Sequence, residues 1–139
     1  MKKKFSKNWS RSKLPRKQRK YLANAPLNVK KKFVSVNLSK ELRKKYARRN
    51  IPVRKNDIVI ITRGKFKKKQ GKIIIVNLKK QIVNIENIQV KKADGSKVNL
   101  PLRTSNLQIV ELDLDDKKRI LSIERRIKLK SDKIKQGVK

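Results

Sequence analysis

The chain has 139 residues, room for one small domain with extensions. It carries 43 Lys and Arg against 10 Asp and Glu, a net charge of +33 that exceeds what solubility needs and points to a polyanionic ligand, nucleic acid first. It has no Cys and no His, which excludes disulfide frameworks, Cys/His zinc sites, Cys nucleophiles and His general bases.

Residues 1–13 read as a disordered basic arm that orders on its ligand. Phe5 and Trp9 are its apolar residues, and Trp9 either stacks on a base or sugar or packs on the domain's own surface. The Met1-Lys-Lys-Lys start is not followed by the apolar stretch of a signal peptide. No long uncharged apolar run is present to span a membrane, so the expected compartment is the cytoplasm.

From Pro15 to Leu22 the pattern is helical, with Pro at a favoured first position, and Ala25-Pro26 ends it. A second short helix is expected from Pro26 to Val34. A third runs from Leu38 to Tyr46, with Ser39 as N-cap, Glu41 in the first turn and Arg43, Lys44 and Lys45 toward the end, an order that suits the helix dipole. Leu38, Leu42 and Tyr46 recur every four residues and give that helix a docking face.

Pro52 to Asp57 reads as a turn leading into a β-rich body. Strands are predicted at 58–62, 72–77, 82–86, 88–91, 98–102 and 107–110 from their β-branched runs. Val59-Ile60-Ile61 and Ile73-Ile74-Ile75-Val76 exceed strict alternation, which predicts strands buried on both faces or covered on one by the helical extension. Asp94-Gly95 between two strands is a hairpin signal. Short strands with short loops favour a small barrel over an open sheet. Residues 113–130 read as a closing helix capped by Asp113, with Asp115 and Asp116 in the first turn, and 131–139 as a frayed end.

The charge is uneven: net +20 over residues 1–55, +9 over 56–110 and +4 over 111–139. The N-terminal third is therefore the electrostatic anchor and the middle is the folded body. The chain divides into a basic arm with short helices (1–50), a barrel (51–112) and a C-terminal helix with tail (113–139).

Within the body, two apolar strands flank a basic loop, from Asp57-Ile-Val-Ile-Ile-Thr-Arg-Gly64 to Gly71-Lys-Ile-Ile-Ile-Val76. Arg63, Lys65, Lys67, Lys68, Lys69 and Lys72 surround this one turn. The unit resembles a KOW motif, the strand–loop–strand device with which ribosomal and transcription proteins hold RNA. Flanking blocks in order make the resemblance more specific: Pro15-Arg-Lys-Gln-Arg-Lys20, Asn24-Ala-Pro-Leu27, Leu38 to Tyr46, Pro52-Val-Arg-Lys55, Lys92-Ala-Asp-Gly95, Ser105-Asn106, Leu114-Asp-Asp-Lys-Lys118 and Ile123-Glu-Arg-Arg126. Over about residues 12–127 the chain resembles the KOW-type universal large-subunit ribosomal protein family, numbered twenty-four in the bacterial scheme and twenty-six in the eukaryotic one. The form it resembles is the archaeal and eukaryotic one, and the spacing between Phe66 and Gly71 leans to the archaeal.

That resemblance implies a mainly β fold: a small SH3-like barrel with a KOW motif, a helical basic N-terminal extension and a C-terminal helix. It implies a structural role in the large ribosomal subunit, on the 5′ region of its rRNA near the nascent-chain tunnel exit, and early action in assembly. The expected partners are large-subunit rRNA and neighbouring ribosomal proteins, with no small-molecule substrate, cofactor, metal, membrane insertion or homo-oligomer. The family's glycines before the first strand's Asp and after Phe-Lys are Asn56 and Lys68 here, residues that replace glycine where φ stays negative or, for Asn, where the left-handed region is tolerated, so the loop is expected to differ in shape from the family's. Its His-Pro before Ser-Asn is Arg103-Thr104, which puts a permanent cation, Arg103, at that contact.

Arginine grips phosphate in two places where lysine acts as a point charge, and both release condensed counterions. Arg16, Arg19, Arg43, Arg54 and Arg63 are the leading positional contacts. Lys17, Lys20, Lys40, Lys44, Lys45, Lys55, Lys65, Lys67, Lys68, Lys69 and Lys72 serve mainly as electrostatic partners. Gly64 and Gly71 allow a tight turn or close approach to phosphate. Phe66 stacks on a base or, the favoured reading, plugs the barrel end. Ser105 and Asn106 either bond RNA backbone or close a local turn.

Three rival readings fit less well. A KOW-bearing transcription factor needs a polymerase-binding domain, and the N-terminal third is too basic and too poor in apolar strands to be one. A DNA-binding barrel needs wedge or ribbon residues that nothing here marks. An enzyme needs an acid–base pair or metal cluster, and the ten acids fall mostly in caps and turns.

Overall fold

The computed structural model describes residues 5–6 and 12–136, except the side chains of 130, 131 and 133–136. The reading of Trp9, and of most of the basic arm, falls outside the described residues.

The N-terminal third forms helix α1 (Pro15–Asn24), helix α2 (Leu27–Phe33), strand β1 (Ser35–Leu38), helix α3 (Lys40–Tyr46) and strand β2 (Asn50–Pro52). Pro15 stands in the first turn of α1, and the extended Pro26 precedes α2. Ser39 caps α3, its hydroxyl accepting the Leu42 N–H at 3.3 Å, and Glu41 and the Arg43–Lys45 run lie at the ends the dipole favours. Leu38, expected at the start of that helix, lies instead in β1, fully buried. The alternation Val34-Ser35-Val36-Asn37-Leu38 sends the three apolar residues into the core.

The body continues with β3 (Ile58–Ile61), β4 (Gln70–Asn77), β5 (Ile82–Ile85), β6 (Gln89–Lys91), β7 (Lys97–Asn99), β8 (Leu102–Arg103), a 3-10 turn at Thr104–Asn106 and β9 (Leu107–Glu111). Seven strands make one mixed sheet in the order β2-β1-β9-β3-β4-β5-β8, consistent with an SH3-like barrel. All its pairs are antiparallel except β1 with β9, where Asn37 stands opposite Gln108 and Leu38 opposite Ile109. The N-terminal extension thus contributes strands to the barrel. The remaining pair, β6–β7, forms its own hairpin around Asp94-Gly95, with Val90 facing Val98.

The two β-branched runs are not buried on both faces. In β3, buried Val59 and Ile61 alternate with half-buried Ile58 and Ile60. In β4 the register against β5 shifts between Ile73 and Ile75, a bulge that bends the strand. Ile73 stays in the core, whereas Ile74 and Ile75 are 41 % and 47 % exposed.

The closing helix α4 runs from Lys117 to Gln136, later at both ends than 113–130. Its cap is Asp116, whose Oδ1 accepts the Lys118 N–H at 2.9 Å, while Asp113 Oδ1 accepts the Asp115 N–H at 3.1 Å and closes a turn before the helix. Asp113 instead ties the chain to the body, its N–H donating to Asp57 Oδ1 and its carbonyl accepting from Arg119 Nη1. Ile123 brings α4 into the core, a burial that stabilises by about 1.5–3 kcal/mol.

Candidate nucleic-acid interface

The basic loop between β3 and β4 is built from two overlapping turns. The Lys67 N–H donates to the Gly64 carbonyl at 3.0 Å and the Lys69 N–H to the Phe66 carbonyl at 3.1 Å. Bonds from Lys68 N–H to Ile61 O (2.8 Å) and from Ile61 N–H to Lys69 O (2.9 Å) tie both turns to the strand stem. Gly64 has φ 95°, and an added Cβ there meets nothing within 4 Å, so backbone conformation selects the glycine. Phe66 is half-buried against the core, the plug position, with Lys69 Nζ 5.2 Å from its ring centroid. Arg63, Lys65, Lys67, Lys68 and Lys69 are exposed around this anchor, and Lys72 is exposed on β4.

Asn56 and Lys68 keep the left-handed backbone that glycine favours, with φ 70° and 69°. Asparagine tolerates that region, and lysine enters it against its Cβ sterics. Gly71 is different. It lies within β4 opposite Val59, and a Cβ there would stand 2.7 Å from Ile85 Cγ2 and 2.9 Å from the Glu86 carbonyl oxygen. The close approach at Gly71 is thus to β5.

The 3-10 turn joins the loop to the other end of the chain. The Thr62 N–H and hydroxyl both donate to the Asn106 carbonyl, at 2.8 and 3.0 Å, which brings Ser105 and Asn106 beside the loop's first turn. Ser105 Oγ lies 3.5 Å from Asn106 Oδ1 within that local turn. Arg103 is exposed on β8 opposite Ile82.

The remaining predicted contacts form separate groups. Arg16, Lys17, Arg19 and Lys20 are exposed on α1, a helix with no buried residue, which is held through Tyr21 against Phe33 (5.9 Å between centroids) and Phe5 (4.8 Å). Lys40, Lys44 and Lys45 are exposed on α3, and Arg43 is half-buried, its Nε donating to the Leu38 carbonyl at 2.8 Å. Arg54 pairs with Asp116. With Lys55, Lys31 and three aspartates it lines an open cleft of about 450 Å³. Asp113, Asp115 and Asp116 offset the charge of the three cations that line the cleft.

Beneath that cleft lies the residue that the sequence reading missed. Arg119, in the run Lys117-Lys118-Arg119, reads as one more surface cation, but it is buried. Its Nη1 and Nη2 donate to Asp57 Oδ1 and Oδ2 at 2.7 and 2.8 Å, and Nη1 also reaches the Asp113 carbonyl at 2.7 Å. Asp57, fully buried, further accepts the Arg54 N–H at 2.8 Å and the Asp113 N–H at 3.0 Å. This bidentate pair holds α4 to the stem of the basic loop. The available signal was helical spacing: Arg119 lies one turn before the core residue Ile123. At the β6–β7 tip, Asp94 Oδ1 accepts the Ser96 hydroxyl (2.7 Å) and N–H (3.0 Å), which hold its carboxyl below the usual range.

Comparison with known proteins finds a match over residues 12–126 to the family described as ribosomal proteins L26, eukaryotic, and L24, archaeal. The large ribosomal subunit protein uL24 of Nanoarchaeum equitans (strain Kin4-M) is 58% identical to this chain over 38 residues, 27% of this chain and 27% of that protein. The matched stretch thus spans about a quarter of that relative's length.

Proposed function

The chain belongs to the family of eukaryotic L26 and archaeal L24 ribosomal proteins, and from that membership we propose that it is a structural constituent of the large ribosomal subunit that binds its rRNA. The family is one of structural components, so the chain is not an enzyme. No helix among the described residues is long and apolar enough to cross a membrane.

The observation that carries the proposal is the exposed ring of Arg63, Lys65, Lys67, Lys68 and Lys69 on a loop fastened at three points: to β3, to Asn106 and, through Phe66, to the core. Cations on a rigid stem lose little ordering entropy when they meet phosphate. The α1 and α3 cations and Arg103 supply further, separate contacts, and Ser105 and Asn106 border the loop. The target is the 5′ region of the large-subunit rRNA near the nascent-chain tunnel exit, and the protein joins early in assembly. Its neighbours are other ribosomal proteins, it acts as a single copy, and its compartment is the cytoplasm, within the ribosome. Residues 1–50, 51–112 and 113–139 divide the RNA-facing work rather than the folding, since β1 pairs with β9.

The test is a high-salt sucrose gradient of cells carrying a tagged chain. Co-sedimentation with the large subunit through the salt wash is the expected result. Release into light fractions, or company with polymerase or DNA, would overturn it.

A further inference from the structure

The outer face of the barrel departs from the rest of this chain in its charge. Strands β9, β3, β4 and β5 lie side by side, and Lys72 is the only Lys or Arg among their residues, in a protein that carries 43. The register puts Glu111 opposite Ile58 and Ile58 opposite Lys72. The Glu86 N–H donates to the Lys72 carbonyl at 2.9 Å, which brings Glu86 to the other end of that row. Both glutamates are exposed, and neither carboxylate has a hydrogen-bond or ion-pair partner among the described residues. Asp57, Asp94, Asp113 and Asp116, by contrast, are occupied with Arg119, turns or a cap.

The same face carries isoleucines. Ile58 and Ile60 are half-buried on the outer side of β3. Beside them the bulge in β4 leaves two consecutive residues, Ile74 and Ile75, 41 % and 47 % exposed, where a regular strand would turn one of them inward. Isoleucine facing water adds little to the fold, and threonine would suit the strand as well. An apolar centre, poor in charge and with unpaired carboxylates at its rim, has the anatomy of a protein–protein contact. Phosphate would find Lys72 alone to bind there, between two carboxylates that repel it.

We propose that this face docks a segment of a neighbouring protein in the large subunit, with an apolar side chain seated on Ile74 and Ile75 and a Lys or Arg beside it that meets Glu86 or Glu111. The inference rests on the ribosomal reading above and gives the barrel a protein-facing side as well as its RNA-facing loop.

The experiment uses the tagged full chain with photoreactive p-benzoylphenylalanine in place of Ile75 and, separately, of Ile74, assembled into large subunits in cells. Thermal melts of the free variants establish that they fold. Purified subunits are irradiated, and the adduct is mapped by mass spectrometry. The expected adduct is with a peptide of another large-subunit protein that carries an apolar side chain next to Lys or Arg. Glu86→Gln with Glu111→Gln should lower its yield about three- to tenfold, as loss of rim charge weakens docking. Asp115→Asn with Asp132→Asn removes the same charge at other exposed positions and should leave the yield unchanged. An adduct with rRNA, with a second copy of this chain or with an acidic peptide, no adduct at either position, or an equal yield in both double variants would each overturn the inference and leave the ribosomal reading intact. If the tagged wild-type chain is absent from the large subunit, that reading falls, and the inference with it.

Discussion

Helices α1 and α4 are both basic, yet they are held in opposite ways. No residue of α1 is buried, and its attachment is a stack of aromatic rings from Phe5 through Tyr21 to Phe33. On α4, Ile123 enters the core and Arg119 is locked on Asp57 with both partners nearly inaccessible, at 5 % and 0 % side-chain exposure. The count of lysines and arginines does not separate the two helices; a buried carboxylate in the right place does. One helix is part of the fold, and the other is a cationic surface resting on it. The same contrast separates two arginine–aspartate pairs at one end of the barrel. Arg119–Asp57 is dry and bidentate, while Arg54–Asp116 is 42 % and 26 % exposed.

The largest test of that contrast is Asp57→Ala. It leaves the Arg119 guanidinium buried without its partner and two N–H groups, of Arg54 and Asp113, without acceptors. The expected loss is about 3–5 kcal/mol in urea unfolding, with release of α4. A loss below about 1 kcal/mol would mean that α4 is not anchored there. Next, Arg16→Ala with Arg19→Ala should leave the unfolding midpoint unchanged, because both side chains are exposed and α1 is held through Tyr21. The same pair should weaken rRNA binding about ten- to a hundredfold at moderate salt and flatten the salt slope by about two contacts. A fall in stability without loss of binding would reverse the roles assigned to the two helices.

Arg54→Ala removes the exposed partner of Asp116, and about 0–1 kcal/mol is expected, because solvent screens the pair. Comparison with Asp57→Ala sharpens the distinction between wet and dry pairs. The smallest effect belongs to Asp94. Bonds from Ser96 lower its folded pKa beneath 3.8, so its support of the hairpin tip is complete above pH 3.8 and is lost as the pH falls through the lower folded value. Protection of the Ser96 amide, taken relative to its intrinsic exchange rate, should hold through the ordinary carboxylate range and fall only in stronger acid; an earlier fall would place the carboxyl outside the turn.

Much of this was legible because it is written in local chemistry. Ser39 caps α3 where the Ser-x-Glu order put it, Asp94-Gly95 turns the β6–β7 hairpin, and the basic loop lies between the two β-branched runs. Phe66 plugs the body, as an aromatic more often does. For Ser105 and Asn106 the sequence allows either RNA contact or a local turn, and the turn is formed beside the loop. Strand β1 was not among the expected strands: its signal, the alternation from Val34 to Leu38, lost to the four-residue spacing of Leu38, Leu42 and Tyr46. Ile74 and Ile75 misled because composition does not reveal a bulge, which needs a partner strand to slip against. Asp113 misled as a helix cap because Asp116, three residues on, offers the same carboxylate and Asp113 is bonded to Asp57 and Arg119, which are distant in the chain.

The sequence by itself determined the charge, the basic loop and its stem, the capped third helix and the hairpin, since each depends on residues a few positions apart. Only the tertiary structure decided that β1 would lie parallel to β9 and that Arg119, among the described bases of the last segment, would be withdrawn from solvent. Those outcomes depend on Leu38 meeting Ile109 and on Arg119 meeting Asp57. Such contacts close long loops, whose entropy only a whole packed core offsets, and no local pattern records them.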